Sequence, residues 1–258
     1  MSARSANYGV GMLALPFALS TLLSVPALAG SYDQPSNQPP YPPSTAQAPW
    51  MSVQSVQLIN NGGFEAGLTG WTVVDEPGSS GSWFAFGGAL GPVSVLPLAP
   101  PAIGALQAVT DQDNPGSHIL YQDVTIPPLA TATLDLLLWY NCYASQFAPQ
   151  PTLDYTVPGP NEQFRIDVMN PLAPVNDMGA GVLLPVLLTH SADALVLPPY
   201  VHVTANLSAF AGQTVRLRFA EVDNQSNLNV GIDAVSILAE PVVPVASATW
   251  GKVKGLYR

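Results

Sequence analysis

The chain reads as an all-β protein, an antiparallel β-sandwich of the jelly-roll type, on three observations. Short apolar runs bounded by Gly, Pro, Asn and Asp succeed one another from Val53 onward. Several of them alternate apolar and polar residues with a period of two, and no 3.6-residue apolar stripe reaches ordinary helix length. The runs cover 53–59, 71–74, 82–86, 105–109, 117–124, 131–141, 162–169, 182–189, 201–207, 213–222 and 230–238. Eleven strands overfill an immunoglobulin-type domain and suit a jelly roll. The 258 residues are 48% hydrophobic and 9% charged, enough to build a core without staples. With 17 acidic against 7 basic side chains, a nucleic-acid binder is excluded for want of a basic footprint. A single cysteine, Cys142, excludes an intrachain disulfide and any multi-cysteine metal site.

Taken in order, residues 1–29 have the pattern of a signal peptide: Arg4, a long apolar stretch, and Ala27-Leu28-Ala29 before the expected cleavage. Pro16 and Pro26 interrupt that stretch and a polar segment follows, so no membrane span is expected in the mature protein. Residues 30–52 form a Pro-rich linker, since Pro fixes φ and removes donors. The sandwich domain spans 53–240, with irregular excursions at the Pro- and Gly-rich loops 87–104 and 144–161. Residues 241–258 read as a spacer and a basic-aromatic tail ending in Trp250 to Arg258, for which sorting machinery and simple fraying stand as alternatives. The expected location is secreted, extracellular or periplasmic, and an acidic surface there repels polyanions and anionic membranes.

Within the domain, Val215, Leu217 and Phe219 share one face of their strand and leave Arg216 and Arg218 on the other. Phe164, Ile166 and Val168 likewise leave Gln163, Arg165 and Asp167 opposite. In the run 131–143, taking Leu134, Leu136, Leu138, Tyr140 and Cys142 as core puts Asp135, Leu137, Trp139, Asn141 and Tyr143 on the second face. This pattern implies one sheet with a polar, aromatic face turned from the core, the kind of surface on which sugars stack and hydrogen-bond. The candidate ligand residues are Trp139, Asn141, Tyr143, Arg165 and Arg218, with Trp83 near the rim. Cross-strand pairing of Asp135 and Asp167 with the arginines is the other reading of the same face.

The stretch LINNGGFEAGLTGW at 58–71 is similar to the opening of galactose-binding-like jelly rolls, which include many carbohydrate-binding modules of secreted bacterial proteins. ANLSAFAGQTVRLRFAEVDNQSNLNVGIDAVSI at 205–237 resembles their closing strands, and the strands between look like those of secreted bacterial members. The resemblance implies a structural calcium tying the first strand to the last, held by the Gly63 carbonyl and the carboxylates of Glu65 and Asp233. Two carboxylates and carbonyls suit calcium's demand for hard oxygens. Ala234 stands where many relatives carry a second aspartate. The alternative is that Glu65 caps turn amides and that Asp233 pairs with Arg218 or a backbone N–H.

Two further oxygen-rich stretches, 111–116 and 223–229, read as turns, although the second also suits a rim of hydrogen-bonders around a ligand. The histidines His118, His190 and His202 have no metal-ligand spacing and lie near no nucleophile motif. The expectation is therefore a secreted, non-catalytic protein recognising carbohydrate or a cell-surface polymer. A structural or adhesive protein making protein contacts is the alternative, and a glycoside hydrolase a third. An exposed Trp139 favours sugar binding, a Trp139 packed by a loop favours adhesion, and two carboxylates facing each other across a cleft favour hydrolysis.

Overall fold

The computed structural model describes residues 54–242. The expected signal peptide, the linker and the tail from 243 onward lie outside the described residues. Eleven strands follow in order: β1 (Val56–Gln57), β2 (Thr72–Asp75), β3 (Ser82–Phe86), β4 (Gln107–Asp111), β5 (Gly116–Thr125), β6 (Ala130–Cys142), β7 (Gln163–Met169), β8 (Val182–Leu188), β9 (Val196–Asn206), β10 (Thr214–Asp223) and β11 (Leu228–Pro241). One sheet has the order β3-β4-β11-β6-β9 with β1 alongside β11, and the other has β2-β5-β10-β7-β8. Every pairing is antiparallel, and the chain crosses between sheets at each connection except β3–β4 and β7–β8. This is a jelly-roll sandwich.

Each expected run contains a strand, and the largest extension has a plain cause. Strand β9 begins at Val196, so it takes in Pro198 and Pro199 ahead of the expected run 201–207. It is an edge strand, where a missing backbone donor faces no partner. Pro185 in β8 sits on the other sheet's edge for the same reason.

The core lies where the alternation puts it. Leu134, Leu136, Leu138, Tyr140 and Cys142 of β6 face Phe164, Ile166 and Val168 of β7 and Val215, Leu217 and Phe219 of β10 in one apolar cluster. Burying such side chains stabilises by about 1.5–3 kcal/mol each. In β11 the inward set is Leu228, Val230 and Ile232, then Val235, Ile237 and Ala239. Parity changes because the ladder with β6 is irregular between Asp233 and Ser236, where Ala234 adopts φ 50°. The Val235 N–H at this bulge donates to the Gly62 carbonyl, so the opening turn and the closing strand lie side by side. A β-carbon on Gly62 would lie 1.8 Å from the Val235 carbonyl oxygen, so only glycine allows that approach.

Candidate functional site

The five residues expected on one ligand-binding face do not share a face. Trp139, Asn141 and Tyr143 continue from β6 on the first sheet, whereas Arg165 and Arg218 lie on β7 and β10 of the second. The two groups point out of opposite sides of the sandwich. Trp83, expected at the rim, is 2% exposed and sits in the core, where its indole N–H donates to the His118 carbonyl at 3.2 Å. The parity of β3 explains this: Trp83 and Ala85 turn inward, and Phe84 and Phe86 turn out against Trp139.

Trp139 is 3% exposed because loop 87–104 lies over it, with Leu98 and Ala99 against the ring. Its Nε1 donates to Gln107 Oε1 at 2.7 Å, and the Tyr200 hydroxyl donates to the same oxygen at 2.8 Å. The ring lies so close over β11 that a β-carbon on Gly231 would fall 2.0 Å from Nε1. A buried carboxylate fastens the loop: Asp111 accepts from the Val93 and Ser94 N–H groups, the Ser94 hydroxyl and Asn229 Nδ2. Asn141 donates to the Tyr143 hydroxyl at 3.0 Å, and Tyr143 remains 38% exposed. Trp139 and Asn141 border a cavity of about 240 Å3 with Pro97, Leu98 and Leu197. By the criterion set out from the sequence, a loop-packed Trp139 speaks for protein contacts.

On the second sheet, Asp167 accepts from Arg165 Nε and Nη2 at 2.6 and 2.7 Å and from Arg218 Nε and Nη2 at 3.2 and 2.6 Å. Arg218 is fully buried, and its Nη1 donates to the Val175 and Asp177 carbonyls of the β7–β8 loop. Burial pulls its guanidinium below the usual arginine range, and Asp167 opposes that shift. Arg218 thus pairs with Asp167 across strands with all three guanidinium nitrogens engaged, and Arg165 pairs with the same carboxylate from two residues away on β7. Asp135 pairs with the exposed His202 at 3.0 Å instead of with an arginine.

The opening turn and the bulge also meet as expected, but they meet through amides. Glu65 Oε1 accepts from the Ala105 and Leu106 N–H groups, both at 2.9 Å. Asp233 Oδ2 accepts from Ala102 and Ile103 N–H at 2.9 Å, and Oδ1 from Ala234 N–H. Burial raises the Asp233 carboxyl, these N–H groups oppose the rise, and the nearby Glu65 charge adds to it. Three of the four carboxylate oxygens that calcium would need already accept backbone hydrogens. Among the described residues no three acidic, histidine or cysteine side chains gather to hold a metal ion. The arrangement fits an amide staple and does not fit an ion between Gly63, Glu65 and Asp233; Arg218 is not the partner of Asp233.

The two oxygen-rich stretches that read as separate turns do converge. Asp113, Asn114 and Pro115 of the β4–β5 turn and Asp223 to Asn227 of the β10–β11 loop line a cleft of about 250 Å3 at one end of the sandwich. Asn227 Nδ2 donates to the Gln112 carbonyl across it. Behind Asp223 lies a buried polar layer between the sheets: Gln112, His118, Glu162 and Glu221, all fully buried, with Cys142 beside them. Burial, then the charges of Asp223, Glu162 and Asp75, push Glu221 well above the carboxylate range. Glu162 is raised to about 8 by burial and the Asp223 charge, and Asp223 to about 6 by burial. Burial foremost, with the Glu162 charge second, raises the Cys142 thiol to about 12. The sequence reading missed this layer, although the signal was present: the inward parity of Phe219 continues to Glu221 and Asp223, and that of Phe164 runs back to Glu162.

A second cleft of about 300 Å3 lies beside β2, with Val74, Ile119 and Leu153 in its lining and Glu76 and Asp154 at its rim. Burial raises Glu76, its bond from Tyr155 N–H opposes this, and Asp154 adds to the rise by charge and by a direct hydrogen bond.

No family model matches the chain. No curated protein matches it in sequence. Among solved structures it is similar to the K3 cleaved adhesin domain of Lys-gingipain from Porphyromonas gingivalis, at 14% identity over 72% of this chain and 99% of that one, with a TM-score of 0.44. TmCBM61, solved with β-1,4-galactotriose, is 12% identical over 70% of this chain and 97% of that one, with a TM-score of 0.42. A Stig cyclase from Fischerella sp. TAU is 17% identical over 74% and 100%, also at 0.42. These are likenesses of sandwich shape at low identity and carry no functional argument. The antiparallel jelly-roll sandwich expected from the strand pattern is the architecture the chain adopts. No helix among the described residues is long and apolar enough to cross a membrane.

Proposed function

We propose that this is a non-catalytic recognition protein acting outside the cytoplasm, and that it binds carbohydrate or another cell-surface polymer at the loop-end cleft. The supporting observation is the meeting of Asp113 and Asn114 with Asn224, Gln225, Ser226 and Asn227 around one concavity, from two loops far apart in the chain. Amides, hydroxyls and carboxylates offer both donors and acceptors, which suits neutral hydroxyl-rich ligands. Its acidic groups disfavour polyanions. Among the described residues no aromatic ring lines the cleft, so these residues offer no stacking and affinity is modest. The signal-peptide pattern at 1–29 supports export.

The test is a glycan and cell-wall polymer binding screen of the full chain alongside Asp113→Ala, Asn114→Ala and Trp139→Ala. Both loop residues are exposed, so their removal spares the fold. Loss of two or three ligand hydrogen bonds weakens binding by about tenfold or more in the loop variants. Retention of full affinity after both loop substitutions, or absence of any glycan ligand, refutes the cleft. The second reading, an adhesive protein making protein contacts, is favoured by the packing of Trp139 beneath loop 87–104. Capture of a protein partner with no glycan binding decides for it.

A further inference from the structure

The buried layer behind the loop-end cleft holds an arrangement that hydrogen bonding alone leaves incomplete. Gln112 Nε2 lies 2.9 Å from Asp223 Oδ2, 3.0 Å from the Leu228 carbonyl oxygen and 3.4 Å from Glu221 Oε1. A carboxamide nitrogen has two hydrogens, so three acceptors converge where two can be served. Meanwhile Gln112 Oε1 and Glu221 Oε2 have no hydrogen-bond partner, although both side chains are fully buried. A buried oxygen left unpaired costs about 1–3 kcal/mol. No arginine or lysine among the described residues pairs with Glu221, Asp223 or Glu162. The ring of His118, also in this buried layer, is held between Asp75 Oδ1 and the Ser80 carbonyl.

We infer that this end of the sandwich is a binding site for a hard divalent cation of the calcium class, held by Glu221, Asp223, the Leu228 carbonyl and the Gln112 side-chain oxygen. The Gln112 amide reaches this arrangement by turning end for end, which exchanges two atoms of nearly equal size. Its oxygen then stands 2.9 to 3.4 Å from the other three. Those separations match neighbouring oxygens around an ion with bonds of about 2.4 Å. Two carboxylates offset the double charge, and neutral carbonyl ligands in irregular geometry suit calcium better than magnesium. Asp223 is also a wall of the open cleft, which gives the ion an entry and leaves room for water to complete its shell. The site lies past the far end of β4 from the Glu65 and Asp233 staple and does not depend on the ligand proposed for the cleft.

The test measures calcium binding to the full chain by equilibrium dialysis and native mass spectrometry, with melting temperature read in calcium and in chelator. One ion per chain and a calcium-dependent rise in melting temperature are expected, both retained in Glu65→Gln and Asp233→Asn. Asp223→Asn and Glu221→Gln weaken binding by about 100-fold. Gln112→Glu guards against a variant that does not fold: it adds a buried charge, so it melts below the unmodified protein in chelator and gains more on calcium addition. No calcium bound by the unmodified protein overturns the inference. Binding that survives loss of Glu221 and Asp223, or a Gln112→Glu protein without the larger gain, overturns it equally.

Discussion

Replacing Glu162 by glutamine tests the buried layer without a ligand. Burial and the Asp223 charge raise the Glu162 carboxyl from its ordinary 4.5 to about 8. In the unfolded chain that carboxyl loses its proton near 4.5; in the folded protein it keeps it until about 8. Between those values the folded state holds one proton more, so stability falls as pH rises. A slope of about 1.4 kcal/mol per pH unit over roughly three units amounts to on the order of 3–5 kcal/mol. Asp223, raised to about 6, acts in the same direction over a lower window. Cys142, held near 12, does not titrate there. The substituted amide cannot ionise but loses part of the acceptor capacity that serves the Gln225 N–H and the Cys142 thiol, about 1 kcal/mol. Urea unfolding from pH 5 to 9 in chelator should therefore give crossing curves: Glu162→Gln less stable than the parent at pH 5 and more stable at pH 9. Parallel curves refute the reasoning, because they place no excess proton on Glu162.

Three further outcomes follow from single contacts. Asp167→Asn leaves Arg165 and Arg218 buried without their carboxylate and should cost about 3–5 kcal/mol in denaturant unfolding; a loss under about 1 kcal/mol means the arginines find water. Gly231→Ala forces a methyl group into the Trp139 indole and should cost about 1–3 kcal/mol, with a red-shifted tryptophan emission as the ring leaves Gln107; an unchanged spectrum contradicts the packing. Glu65→Gln and Asp233→Asn each weaken a carboxylate that holds two or three amides, lowering stability by about 1–2 kcal/mol whether measured in calcium or in chelator; a loss confined to calcium-containing buffer indicates an ion where the amides lie.

The strands were legible because period-two alternation encodes burial locally, and β6, β7 and β10 carry it without interruption. The faces of single strands were equally legible. Which strands share a sheet was not, because that depends on crossovers no local pattern records: β6 enters one sheet and β7 the other. Aromatic and arginine residues that looked like one platform therefore stand on opposite sides. Burial of the outward faces was hidden for a related reason. Loop 87–104 reads as an excursion, yet the residue that pulls it down, Asp111, lies on β4 and resembles a turn-former in sequence. Glu221 and Asp223 could have been found by continuing the parity of Phe219, since an acid at an inward position demands either a partner or a function.

The fastening of both loops limits where this sandwich can meet a ligand. For the β7–β8 loop to lift, Arg218 would give up the Val175 and Asp177 carbonyls while remaining fully buried beside Asp167, leaving guanidinium hydrogens unpaired. For loop 87–104 to lift, Asp111 would surrender two N–H groups and a hydroxyl at once. Unmade hydrogen bonds to buried charged groups cost several kcal/mol together, comparable to the net stability of a domain. Neither loop is thus a lid whose opening a modest-affinity ligand could drive, because a ligand shifts an equilibrium only by its differential affinity for the two states. The side chains of Asp113 and Asn114 carry no such obligation: they are exposed and can exchange water for ligand without breaking the sandwich. A ligand that meets the sandwich at the loop end through these two side chains asks neither loop to lift.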